Sequence, residues 1–186
     1  MLYIKFKIPN QETFTDFQKL YLHMVEVRTP DFEFDDKTEE INWAKITEAE
    51  MEAIFDENLQ QEKRYEAFFP DYANTFLERY LQFDNDKAGA LGLQGKSSIM
   101  NYLEHDFEVD MNNLEKLNED FGLVEFSTGN YPYGGLQRFL MVLKAFKLIP
   151  AECFNGFTIY EFDWVSDFVY NSIEFPEKTK EYLKLK

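Results

Sequence analysis

Residues 123–164 read LVEFSTGNYPYGGLQRFLMVLKAFKLIPAECFNGFTIYEFDW, and no other stretch restricts the fold as tightly. The order is a short extended run, a glycine-rich turn, an apolar helix, a proline and more extended chain. Between Leu136 and Ile149, the side chains of Leu136, Phe139, Leu140, Leu143, Ala145, Phe146 and Leu148 would cover most of a helix circumference. A helix that is apolar nearly all round belongs inside a domain. Lys144 and Lys147 fall near its C-terminal end, where the helix dipole favours cations, and Pro150 is expected to stop it. Asn155-Gly156 has tight-turn chemistry. Phe157–Trp164 and Phe168–Phe175 are aromatic and β-branched, and are expected to pair through a turn at Ser166 and Asp167. Pro176 to Leu185 reads as a short helix docked by Tyr182 and Leu185.

The chain leading up to this stretch is mostly helical in pattern. Residues Leu2 to Ile8 are the exception: Ile4, Phe6 and Ile8 share one face of an extended chain, Tyr3, Lys5 and Lys7 the other, and Pro9 ends the strand. Phe14, Phe17, Leu20, Tyr21, Met24 and Val25 recur at helical spacing and predict a helix from about Glu12 to Val27, capped by Asn10 or Thr13. Residues 29–42 read as an acidic loop with a short extended piece at Phe32–Phe34. Thr47 and Glu50 have capping-box spacing ahead of a stripe of Met51, Ile54, Phe55 and Leu59. The helix they open is expected to continue through Lys63 to Phe69 until Pro70, and further helices are predicted from Asp71 to Gln82, from Ser97 to Leu103 and from Asp110 to Asp120, the last closed by Gly122. Residues 84–97, with Gly89, Gly92 and Gly95, read as the loosest part of the chain.

These elements predict one α+β domain spanning residues 1–186, helix-rich, with a small and mostly antiparallel sheet built from the C-terminal strands. The N-terminal strand is placed to join that sheet from the other end of the chain. With 20 Phe, 11 Tyr and 2 Trp, the core should be unusually aromatic, since each ring removes a large apolar area from water.

Charge narrows the choice of partners. The net charge is −16, and residues 31–62 hold twelve acids against two bases, whereas residues 122–186 hold eight acids against seven bases. Such a surface repels nucleic acid and anionic membrane and attracts cationic proteins. No run approaches the roughly 20 apolar residues of a membrane span, and the start MLYIKFKIPNQ lacks the apolar core of a signal peptide. A single cysteine, Cys153, forms no internal disulfide, suits the reducing cytoplasm and reads as a small core residue.

Motifs for cofactor or metal chemistry fall short. Gly95-Lys96-Ser97 resembles the end of a phosphate loop, but Ala90 stands where the first glycine is required. Asp84, Asp86 and Gly89 match the start of a calcium loop, but Ala88 and Gly95 replace two ligands, so a flexible polar loop is expected. With two histidines and one cysteine, no zinc pattern forms. Glu104-His105-Asp106 reads as surface, and no cofactor is expected.

Two places remain as candidate binding residues. The first is the acidic loop, with Asp31, Glu33, Asp35, Asp36, Glu39 and Glu40. The second is the glycine-rich loop with Tyr131 and Tyr133, leading to Arg138. Together they suggest a binding module that neutralises a basic partner, in the manner of an inhibitor or immunity-type protein facing a nuclease or toxin. A small enzyme taking a phosphate or carboxylate at residues 129–135, or an assembly subunit with a buried aromatic face, are the alternatives.

Overall fold

The computed structural model describes residues 1–34, 45, 47–49, 52, 57–88, 95–128 and 136–185. Its sheet has six strands in the order β2-β3-β1-β4-β5-β6, every neighbouring pair antiparallel. The strands are β1 (Leu2–Lys7), β2 (Asp110–Lys116), β3 (Phe121–Ser127), β4 (Ile149–Phe154), β5 (Ile159–Trp164) and β6 (Tyr170–Glu174). The helices are α1 (Gln11–Glu26), α2 (Glu57–Phe68), α3 (Asp71–Ala88), α4 (Lys96–Asn101), α5 (Leu136–Ala145) and α6 (Pro176–Lys184). A π-helical turn, Tyr102–Asp106, continues α4. The α+β class is as expected.

The N-terminal strand is central rather than peripheral, with β3 on one side and β4 on the other. Ile4 and Phe6 face the main core, while Tyr3 faces a second, smaller cluster with Phe154 and Ile159. Helix α6 covers that second face: Tyr182 meets Tyr3 at 5.4 Å and Phe154 at 4.9 Å between ring centres. Leu185 takes no part in the docking and is 87% exposed. In the main core Phe17 of α1 contacts Phe6, Phe139 and Phe146, and Phe107 stacks on Phe139. Helix α5 buries Phe139, Leu140, Met141, Val142, Leu143 and Ala145, as its all-round apolar character requires. Asn10, not Thr13, caps α1: its side chain accepts from the Glu12 amide, and the Thr13 hydroxyl donates to the Asn10 carbonyl.

Three expectations for residues 110–150 are corrected. Residues 110–116 form a strand, not a helix. A bulge between Met111 and Asn113 inserts one residue, so Met111 and Leu114, three apart, both oppose inward residues of β3, Phe126 and Val124. The bulge thus imitates a helical period. Gly122 consequently closes no helix. It pairs with Phe6 inside the sheet, and a Cβ added there would lie 2.5 Å from the Phe6 ring. Gly122→Ala should therefore cost about 1–3 kcal/mol through overpacking. Urea unfolding would read this as a lower midpoint at unchanged slope, and an unchanged midpoint would refute the packing argument. Third, α5 ends at Ala145, earlier than Pro150 would stop it. Lys147 adopts a left-handed φ of 58°, which turns the chain back, and Pro150 itself enters β4 opposite Phe6, where the β1–β4 register shifts. A bulge tolerates the missing N–H, and the Pro150 carbonyl accepts from the Trp164 indole.

The C-terminal hairpin forms as its composition implies. Asn155 and Gly156, the latter at φ 97°, turn β4 into β5, with the Asn155 side chain accepting from the amides of Phe157 and Thr158. The β5–β6 turn is clasped from the helical layer by Arg79 on Asp167 at 2.7 Å, by Lys144 on the Ser166 and Asp167 carbonyls, and by Phe168 set among Phe76, Tyr80 and Phe83. Residues 84–88 belong to α3 rather than to a flexible loop, and Gln82 donates to Asp86 within the helix. Helix α4 starts after Gly95, whose carbonyl accepts from the Ser98 hydroxyl; Ser97 is not the cap. Of the helix expected from Thr47, Glu50, Met51, Ile54 and Phe55 lie outside the described residues, as do Gly89 and Gly92.

Candidate functional site

The buried stripe of α1 carries His23, set between Leu20 and Met24 positions that pack in the core. Its ring stacks on Phe68 of α2 at 4.3 Å, and Nε2 lies 2.9 Å from Oε1 of Glu104. Arg64, on the same helix as Phe68, grips that carboxylate with a fork: Nε to Oε1 at 2.8 Å and Nη2 to Oε2 at 3.0 Å. The expectation that Glu104 lies on the surface is overturned, because its side chain is fully buried. Only Glu104 turns inward from its run; His105 and Asp106 are exposed. Burial works against ionisation of Glu104, but the hydrogen bonds from His23 and Arg64 and the Arg64 charge outweigh it and hold the carboxyl below its ordinary range.

Arg28, at the exit of α1, performs a second piece of fixing. Its guanidinium donates to four backbone carbonyls: Nε to Val109, Nη1 to Met24, and Nη2 to both Leu103 and Phe107, all within 2.7–2.9 Å. These join the end of α1 to both sides of the π-helical turn and to the start of β2. Burial pulls the Arg28 pKa below its ordinary value, yet a guanidinium stays charged under any ordinary condition.

Beyond Arg28 the chain reverses at Asp31, whose φ of 64° is left-handed. Phe32 and Phe34 then meet edge to face at 5.0 Å, Phe34 abuts His105 at 6.0 Å, and the Arg64 guanidinium lies over the Phe34 ring, 4.0 Å from its centre. The loop of Asp31 and Glu33 is thereby laid against the π-helical turn, with both acids exposed. Next to it opens a cleft of about 280 Å³ bordered by Arg28, His105, Glu108, Asp110, Ser127 and Thr128. Arg28 keeps its charge, but the exposed carboxylates of Glu108 and Asp110 outnumber it at the rim of this cleft. A larger cleft, about 580 Å³, opens at the start of α1, where Tyr72 donates to Asp16 and Lys147 lies over the Tyr72 ring. Its charges are mixed, with Glu12 and Asp16 facing Lys147 across the lining, and Asp16 is paired with Lys19.

Of the residues singled out from sequence, Asp31 and Glu33 stand on the aromatic-anchored loop. Asp35, Asp36, Glu39, Glu40, Tyr131 and Tyr133 lie outside the described residues. Arg138 is half-buried on α5, hydrogen-bonded to Tyr80 and 5.8 Å from the Tyr102 ring centre. Sequence reasoning missed Arg28, Arg64, Glu104, Glu108 and Asp110. One signal was present: a histidine on an otherwise apolar helical stripe needs a buried partner.

The chemistry on offer is limited. Glu104 has both oxygens occupied, and Cys153 is buried, its thiol pushed up to about 12 chiefly by desolvation. Among the described residues no group of three His, Cys, Asp or Glu side chains could hold a metal ion, and no helix is long and apolar enough to cross a membrane. Comparisons with family models, curated proteins and solved structures find no match to this chain.

Proposed function

We propose that this chain is a protein-binding module that engages a basic partner through its acidic face, in the manner of an inhibitor or immunity-type protein acting on a nuclease or toxin. One observation carries the reading: exposed carboxylates at Asp31, Glu33, Glu108 and Asp110 flank an aromatic cluster of Phe32, Phe34 and His105, and a buried ion pair braces that cluster. Rigid rings supply contact area at low entropic cost, and carboxylates steer a cationic surface towards them. The acid-rich stretch that continues from Asp35, and the net charge of −16, add long-range attraction of the same sign and disfavour nucleic acid as the direct ligand. A lone buried cysteine suits action in the cytoplasm.

The test is retention of basic proteins from the host extract on the immobilised chain, at low and at high salt, for the wild type and for a Glu108→Lys/Asp110→Lys variant. A specific basic partner should be retained at low salt and released at high salt, as exposed charge pairs are screened beyond ~10 Å at 0.1 M. The variant should weaken retention by roughly tenfold or more. Equal retention by the variant would move the interface elsewhere; failure to retain any basic protein would end the reading.

A further inference from the structure

The acidic loop and the buried ion pair share one residue. Arg64 is 17% exposed and presents two different surfaces: the edge of its guanidinium forks onto the fully buried Glu104, and the group also lies over the Phe34 ring at 4.0 Å. Glu104 belongs to the π-helical turn, and the next residue, His105, is the other ring against which Phe34 rests. Among the described residues, Phe34 thus touches both the turn and the arginine of its ion pair. The two acids that flank Phe32, Asp31 and Glu33, stay exposed, so that anchoring orders them without neutralising them. An arginine in a fork with a carboxylate has its plane pre-set, and a ring stacked on such a plane is held in place at little further entropic cost.

We infer that Arg64 is a positioning residue: it couples the buried Glu104 pair to the placement of Asp31 and Glu33, so that the acidic loop is displayed in its docked geometry only while that pair is made. The inference rests on the reading of this face as a docking surface for its biological meaning, but not for its test. Limited chymotrypsin digestion of the folded chain, with cleavage after Phe32 followed by mass spectrometry, reports whether the loop is docked. Arg64→Lys keeps the charge and a bond to Glu104 but loses the fork and the plane; Phe34→Ala leaves the ion pair intact and removes the ring. Both should be cut after Phe32 about fivefold faster or more than the wild type, whereas Phe34→Tyr, which restores a ring, should be cut at the wild-type rate. Cleavage after Phe139, in the core, should stay slow in all of them, which separates local release from global loss of structure. If Arg64→Lys does not fold, Phe34→Ala and Phe34→Tyr decide the matter between them. Wild-type cleavage rates in Phe34→Ala would overturn the coupling. Retention of a basic partner is read in a separate experiment, so the coupling and the docking reading can fail independently.

Discussion

Arg28→Ala is expected to destabilise the chain by about 3–5 kcal/mol. Arg28 donates to the carbonyls of Met24, Leu103, Phe107 and Val109, and of these that of Phe107 also accepts from the Val109 amide. Each buried acceptor left unpaired costs about 1–3 kcal/mol. The adjoining cleft would admit water to some of them, so the full sum is not reached. Lysine is a poor substitute, because a compact ammonium cannot span carbonyls arranged around a planar fork. Arg28→Lys should recover less than half of the loss. Urea unfolding of the three proteins tests this: a midpoint for Arg28→Lys equal to the wild type would mean that charge, not geometry, is what the site requires.

The strands and helices whose apolar positions obey an unbroken period were legible. Alternation places β1, the stripe on α1 places that helix, and turn chemistry at Asn155-Gly156 places the hairpin entry. Two failures share a cause, which is a local irregularity that shifts the period. The extra residue in β2 spaces Met111 and Leu114 like a helix, and the irregular β1–β4 register lets Pro150 sit in a strand that a proline should forbid. Gly122 was misread because its reason for being glycine, the Phe6 ring on the neighbouring strand, is more than a hundred positions away in the chain. The ion pair was harder still. His23 and Arg64 lie 81 and 40 positions from Glu104, which joins them, and nothing in the local pattern of Glu104 sets it apart from the exposed residues that follow it. Charge composition pointed to an acidic face, yet Glu108 and Asp110 join it only because β2 begins where Arg28 ties down the turn.

Glu104→Ala should cost about 2–4 kcal/mol, below the usual range for breaking a wholly buried pair because Arg64 keeps some access to water. The residual charge, not the missing contact, dominates this figure: the Arg64 guanidinium would remain beside an apolar hole. The pH dependence carries a distinct sign. The Glu104 carboxyl is held below its ordinary range in the folded chain, while in the unfolded chain it titrates near its reference value of about 4.3. Its contribution is therefore complete above that value and is lost as pH falls through the lower, folded one. Glu104→Gln removes the titration while keeping the shape, so its stability should fall less steeply below about pH 4.3 than the wild type. Parallel curves for the two proteins would show that the pair is not ionised as the geometry requires. Simultaneous replacement of Glu104 by Met, Arg64 by Leu and His23 by Leu should restore most of the stability, since a buried ion cluster is commonly no better than well-packed apolar groups of similar volume. If the triple variant unfolds as cooperatively as the wild type but is cut rapidly after Phe32, the cluster serves to place the acidic loop. If it is as unstable as Glu104→Ala, the cluster is needed for the fold itself.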